Sequence, residues 1–416
     1  MIVLYEVVII AMILIEFNYY KTIITPFSIL GTFYALVPII LLVFGSQSRL
    51  YPMTNTNYMY TAFYLFCFWC ANIIFMIVFR SRTLFQPISV DRNIEKTDNL
   101  MQIFHFLYVI CIIAFTAETV LVIREYGLTN TKNHTFGILA HLGYLALMIA
   151  PVAVYDGIKH HKISNLVLTG AFFVELVLLQ NKLPVVILLL HATFFYLIMN
   201  GRPNNLQFIR RFVVIVLAAM LVFIAVYAIP PFLITKSATL KESLDYSFER
   251  FFHYFFSGFI SSNEYYLHPQ GNGSAGYRVA FGFFDTIKEA LFGNGNYMNP
   301  VIKKWVLIAP GSGTNVGGLF SEAVYQIGYF DAALYVFAVG AMVYFVYNMS
   351  SQYQTFLITN SYLLAVVSVS FFCNFFSLFS TFEKMIYAIF LDLLILYLKP
   401  KKIVIKFSTR YLDSWE

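Results

Sequence analysis

Long apolar runs follow one another along this chain with only short polar gaps, and that spacing decides most of what it can fold into. A helix needs about 20 apolar residues to cross the hydrocarbon core of a bilayer, where its own backbone must satisfy every N–H and C=O. Runs that meet this demand fall at about 2–18, 24–44, 57–79, 101–123, 136–156, 164–180, 183–200, 212–234, 315–347, 355–376 and 382–399. The first and sixth are short, and the ninth is long enough for its first part to lie outside the membrane. Only 12% of the residues are charged, against 45 Phe and 30 Tyr, whereas soluble domains carry about 25% charged residues. One water-facing core could not hide so much apolar surface. The expected fold is all-α: a polytopic membrane protein of about 11 transmembrane helices, forming one integral membrane domain over 1–416 with one large loop at 235–314.

Lysine and arginine set the orientation. Alternate short loops and the C-terminal tail hold 15 of the 27 basic residues: Lys21; Arg80, Arg82, Arg92 and Lys96; Lys159 and Lys162; Arg202, Arg210 and Arg211; Lys399, Lys401, Lys402, Lys406 and Arg410. The other short loops hold 5, at Arg49, Arg124, Lys132, Lys182 and Lys384, and the large loop holds the remaining 7. The positive-inside rule then places the C-terminus in the cytoplasm and the N-terminus and large loop outside. Met1–Glu6 has neither a basic n-region nor a small-residue cleavage site, so the first helix is expected to be retained. The net charge of +6 reflects this topology, and no nucleic-acid partner is expected. Cys67, Cys70, Cys111 and Cys373 all lie in apolar runs and are expected to pack there.

The large loop is the one sizeable polar region. Its first part, 236–258, mixes aromatics with charges and predicts an amphipathic helix at the membrane surface. Arg250, His253, Tyr254 and Ser257 recur at i, i+3, i+4 and i+7, which puts a cation, an imidazole and a phenol on one stripe. Gly271–Gly276 matches G-x-G-x-x-G, but neither a strand nor a βαβ unit surrounds it, so a flexible turn is expected rather than a dinucleotide site. A second amphipathic stretch covers 284–292, and Lys303 and Lys304 before Trp305 form an interfacial anchor pattern. Thr314 or Asn315 is a good N-cap for the helix that follows, whose free N–H groups would form an anion site. Gly311, Gly313, Gly317 and Gly318 would let a bulky ligand reach the backbone there.

Ionisable residues inside apolar runs are functional candidates by default. Glu175 is one, and Glu118, near the outer end of its run, is expected to reach the interface. Asp331 and Asp392 also lie near or within runs, while His105, His141 and His191 lack ligand spacing and are expected to pack in the interior. The chain contains no H-E-x-x-H, D-x-D, P-loop or G-x-S-x-G. Neither a metal nor a nucleotide cofactor is therefore expected.

Thr314-Asn315-Val316 with Phe320, Tyr325 and Gly328, leading into a membrane helix after a large external loop, resembles the corresponding region of bacterial oligosaccharide repeat-unit polymerases, the Wzy-type O-antigen polymerases. Tyr254-Phe-Phe-Ser257-Gly258 is similar to the aromatic–Ser–Gly segment that opens their periplasmic loop. Lys182 before Leu183–Leu190 is similar to their basic turn, where Arg is more usual. The architecture corresponds over nearly the whole chain, the motifs over about 40 residues. The Arg-x10-Gly pattern of some members is absent from both Arg250 and Arg278.

The resemblance implies a GT-C-like enzyme of the bacterial inner membrane that joins undecaprenyl-pyrophosphate-linked glycans at the periplasmic face, without a cofactor, and works beside a chain-length regulator protein. Charge develops on the bridging oxygen as the anomeric bond breaks, so cations and N–H donors aimed there would carry most of the catalysis. Arg250 and Arg278 are the candidates, with Lys182, Thr314 and Asn315 also on the pyrophosphate. Glu264 and His253 are candidate bases. Tyr254, Tyr265, Tyr266, Trp305, Glu322 and Tyr325 are candidate sugar contacts. Two alternatives remain open from the residues: an O-antigen ligase or other lipid-linked glycan transferase, and a flippase or transporter of the lipid-linked unit.

Overall fold

A computed structural model describes residues 1–45, 49–79, 98–127, 131, 138–179, 182–200, 239–270 and 305–398, with single helical positions between 210 and 232. The helices are α1 (Ile2–Tyr20), α2 (Pro26–Phe44), α3 (Asn55–Phe79), α4 (Asp98–Tyr126), α5 (Ile138–Lys159), α6 (Ile163–Leu178), α7 (Lys182–Met199) and α8 (Leu240–Leu267). A hairpin of β1 (Val306–Ala309) and β2 (Ser312–Thr314) follows, then α9 (Leu319–Ile327), α10 (Tyr329–Tyr353), α11 (Leu357–Val369) and, after a short 3-10 turn, α12 (Phe379–Leu398). By length and composition α1, α2, α3, α4, α5 and α10 can cross a membrane, which makes this an all-α polytopic membrane protein among its described residues. The hairpin is its one β element there.

Sequence signals explain the helix ends. Thr25 caps α2 by accepting the Ser28 N–H, and Pro26 follows at a position whose N–H would have no helical partner. Thr239 and Glu242 form a capping box at the start of α8. At Gly328, φ 82° and ψ 174° turn the chain out of α9 and into α10. The apolar run at 315–347, expected to have room for its first part outside the membrane, is two helices divided at Gly328, because only a glycine takes that backbone conformation without strain.

α11 sits at the centre of the bundle, with Leu357 through Ser368 all buried. Its 13 residues reach only about 20 Å, too short to span the core. The expected span at 355–376 is corrected accordingly: the helix stops at Val369, and the chain turns through 370–378 into α12. α11 packs against α7, α12 and α2, α10 against α3, and α4 and α12 against α5. Where α10 crosses α3, a Cβ on Gly340 would lie 2.7 Å from the Phe68 carbonyl oxygen, so a bare backbone is needed for the approach.

The two ends of the bundle gather different segments. At one end Asn263 bonds Pro52 O, Thr54 and Asn57, Tyr51 N–H bonds Ile308 O, and Leu319 N–H bonds Ser370 O. At the other, Tyr19 bonds Met76 O and Tyr20 bonds Asn72. The first set joins segments expected on one side from the alternation of runs, and the second joins segments expected on the opposite side.

Candidate active site

The polar assembly at the hairpin end is built on α8. Its inward side carries small and hydroxylic residues, Ser243, Ser247, Ser257, Gly258, Ser261 and Ser262, so other backbones can come close. At Gly258 an added Cβ would sit 2.6 Å from Phe371 O and 2.7 Å from Phe372 O. Ser261 donates to Val316 O at 2.5 Å, and Ser262 Oγ lies 2.8 Å from Ser321 Oγ. α8, α9 and the 370–378 turn are thereby fastened together.

Glu322, buried on α9, is the hub of that joint. Its Oε1 accepts the Gly317 N–H at 2.7 Å, and its Oε2 accepts the Asn374 N–H at 3.2 Å, with Cys373 Sγ 3.8 Å away. Gly318 N–H donates to Gly258 O and Leu319 N–H to Ser370 O. The expected anion site at the helix start is corrected on two counts. The helix begins at Leu319 with Gly318 as its cap, because Thr314 is held in β2 opposite Val306. The three N–H groups at 317–319 are already bonded within the protein. Asn315 is exposed, and Thr314 Oγ accepts the Val316 N–H.

The glycines of this segment serve packing. A Cβ at Gly317 would strike the Tyr265 ring, one at Gly318 would lie 2.8 Å from Phe371 O and 2.9 Å from Tyr34 Oη, and one at Gly313 would strike Trp305. Gly311 alone of the four has nothing within 4 Å. The room expected for a ligand at 313, 317 and 318 is filled by the protein itself.

Three of the aromatics expected to meet sugars are interior. Tyr265 lies 4.9 Å from Tyr325, centroid to centroid, and Tyr266 packs among Tyr60, Tyr64 and the Thr61 hydroxyl. Tyr265 and Tyr266 are each 1% exposed and Tyr325 is 4% exposed, so their faces are covered by other side chains. Burial, with the Glu322 carboxylate adding to it, pushes the Tyr265 hydroxyl above the ordinary tyrosine range and keeps it neutral. Phe320 fills a cage of Tyr34 and Tyr64.

The exposed rim is different. Tyr254 and Trp305 are 40% and 65% exposed. Half-buried Arg250 has its guanidinium over the Tyr246 ring, 5.0 Å from the centroid. His253, one turn on, is buried; its Nδ1 is 2.9 Å from Ser312 Oγ of the hairpin and its Nε2 is 3.9 Å from Glu249 Oε1. Burial lowers the imidazole's affinity for a proton; Glu249 opposes that shift and Arg250 adds to it. Glu264 faces His268 at 3.8 Å, both well exposed at the far end of α8. Helical spacing thus gathers Arg250, His253 and Tyr254 on one part of α8, with Ser312 beside His253, and sets Glu264 apart from them. Lys182 is the first residue of α7, while Arg278, the G-x-G-x-x-G turn and the stretch 284–292 lie outside the described residues.

Several buried ionisable groups lie elsewhere. Glu16 on α1 accepts from Asn72 Nδ2 at 2.8 Å and also bonds Thr25, Ser28 and Tyr344. The sequence signal for it was simply a carboxylate in an apolar run. Asp392 on α12 caps α11 through the Ile358 and Thr359 N–H groups at 3.0 and 2.9 Å. Glu175 is only half-buried and accepts from Thr116, whereas Glu118 is buried. His191 is buried as expected, but His141 has a half-exposed side chain bonded to Glu383, which corrects its expected interior packing.

Fold and site together define a polytopic all-α membrane protein with a polar assembly closing one end of its bundle. Compared with protein-family models, curated proteins and solved structures, the chain matches none.

Proposed function

We propose that this chain is a glycosyltransferase that polymerises undecaprenyl-pyrophosphate-linked oligosaccharide repeat units into O-antigen or a related surface polysaccharide. On this reading it works at the periplasmic face of the bacterial inner membrane, with about 11 spans in a GT-C-like arrangement. The observation that carries the reading is the stripe of Arg250, His253 and Tyr254 on α8, with Ser312 of β2 bonded to His253 and followed in the chain by the segment that resembles the polymerase family. The side is assigned by the excess of lysine and arginine in the opposite loops.

The chemistry needs a proton acceptor, a stabiliser of negative charge and a sugar platform. The acceptor hydroxyl passes its proton through Ser312 to His253, which burial keeps neutral. The acceptor oxygen bonds the anomeric carbon as that carbon's bond to the pyrophosphate oxygen breaks. The leaving pyrophosphate stays on its lipid, and Arg250 offsets its growing charge. One such preorganised donor is worth about 3–4 kcal/mol of the barrier. Tyr254 and Trp305 offer open aromatic faces to the sugars.

Reconstitution tests this directly. Purified protein in proteoliposomes with undecaprenyl-pyrophosphate-linked repeat unit should release undecaprenyl pyrophosphate and lengthen the lipid-linked glycan. Transfer only to a lipid A–core acceptor would make it a ligase. Movement of the unit across the bilayer without bond formation would make it a flippase.

A further inference from the structure

A second cluster of ionisable groups lies where α5 meets α12. Glu383 Oε1 accepts from Tyr387 Oη at 2.9 Å and lies 2.5 Å from His141 Nδ1. Its Oε2 is buried and has no hydrogen-bond partner among the described residues. Lys384 is 8% exposed, and its ammonium sits 4.2 Å from the centroid of the Tyr144 ring. No described residue accepts a hydrogen bond from it or pairs with it within 4.0 Å. A buried carboxylate oxygen without a donor is costly inside a membrane protein, and a lysine held over an aromatic face has no anionic partner there. Both groups gain a partner if a ligand brings an anionic oxygen to Lys384 and a hydroxyl to Glu383.

The surroundings say how such a ligand arrives. His141 is half-exposed, so the cluster opens at the surface of the bundle. Three residues past Glu383 begins an exposed apolar stripe on α12, Ile386, Phe390, Leu393 and Tyr397, at i, i+4, i+7 and i+11. A hydrocarbon tail lying along that stripe would carry a headgroup to Lys384 and Glu383. A free phosphate would have no use for the stripe.

We infer that His141, Glu383, Lys384 and Tyr387 form a binding site for a lipid-borne phosphate whose attached group carries a hydroxyl. This deepens the polymerase reading and rests on it for the identity of the lipid: the site would hold one of the two lipid-linked sugars while the α8 rim engages the other. The segment 373–384 joins the two places, since Asn374 holds Glu322 and Glu383 and Lys384 follow within ten residues.

The test measures binding of an undecaprenyl-pyrophosphate-linked sugar to the full chain in nanodiscs by thermophoresis, with inorganic pyrophosphate as the second probe. Lys384→Met keeps the apolar stem and removes the cation, and Glu383→Gln keeps the shape and removes the charge. A Kd at least tenfold weaker for Lys384→Met, with an unchanged melting temperature and no displacement by inorganic pyrophosphate at equal concentration, supports the site. Equal affinity of Lys384→Met and wild type overturns it, and so does inorganic pyrophosphate binding as tightly as the lipid. If Lys384→Met unfolds, Glu383→Gln serves in its place, and unchanged affinity there overturns the role of the carboxylate. Should the chain fail to polymerise while this binding pattern holds, the lipid-phosphate site stands and the polymerase reading falls.

Discussion

The Glu322 carboxylate accepts the Asn374 N–H at 3.2 Å and so ties α9 to the turn that leads into α12. Its other oxygen holds Gly317 at 2.7 Å. Hydrogen bonds to a charged group are each worth about 1.5–3 kcal/mol when buried. Glu322→Ala would leave both N–H groups without a partner and should lower unfolding free energy by about 3 kcal/mol or more. Glu322→Gln keeps one acceptor and should lose about half as much. Thermal unfolding of the purified chain in detergent reads both, and an unchanged melting temperature for Glu322→Ala would contradict the assigned role.

Gly258→Ala probes the approach of α8 to the 370–378 turn. The new methyl would meet the Phe371 and Phe372 carbonyl oxygens at 2.6 and 2.7 Å, and backbone cannot swing aside as a side chain can. Overpacking of this kind costs about 1–3 kcal/mol. The variant should melt lower and should shift the rim that carries Arg250 and His253. Wild-type stability with wild-type activity would mean that the contact is slack.

At Gly328 the space is open but the backbone is not, since a Cβ would meet nothing within 4 Å while φ is 82°. Gly328→Ala should therefore cost about 1–3 kcal/mol through backbone strain alone. A second substitution that trims neighbouring side chains should give no rescue. Rescue by such a variant would assign the cost to packing instead.

His253 gives the pH dependence. Burial lowers its pKa from the ordinary 6.5, so the neutral base persists below that pH. Activity should hold as pH falls through 6.5 and be lost only further down, as pH falls through the lowered value. Because the unfolded chain binds the proton more readily, stability falls over the same acid range, from 6.5 down through the lowered value. His253→Gln should abolish the acid limb together with most activity. A limb centred above 6.5 would show that another group is the base.

Orientation is open to labelling. Cysteine placed at Glu264, on the exposed end of α8, should react with a membrane-impermeant maleimide in intact cells. Cysteine at exposed His160, beyond α5, should react only after permeabilisation. The reverse pattern would invert the topology drawn from the lysine and arginine count.

Much of the fold was legible because a bilayer span leaves a signal in one dimension. The runs at 2–18, 24–44, 57–79, 101–123 and 136–156 correspond to α1 through α5 with ends shifted by a few residues. The breaks at Gly328 and Val369 were hidden, because apolar residues continue through both and the bend depends on backbone conformation and on contacts from α8 and α9. The site was legible only where it is local. The stripe of Arg250, His253 and Tyr254 follows from helical spacing within α8. The pairing of His253 with Ser312, of Glu322 with Asn374 and of His141 with Glu383 joins residues 59, 52 and 242 positions apart, which no periodicity reports. The burial of Tyr265 and Tyr266 has the same origin, since their covering rings come from α3 and α9.

The central claim is that this chain lengthens a lipid-linked glycan and that Arg250 serves in the transfer. The most direct test is the in-gel glycan profile of a host strain lacking the chain, complemented with wild-type or Arg250→Ala protein at equal expression. The account predicts core plus a single repeat unit in the deletion, a full ladder with wild type, and no ladder with Arg250→Ala. Bare core in the deletion would contradict polymerase activity, and a full ladder from Arg250→Ala would remove Arg250 from the site.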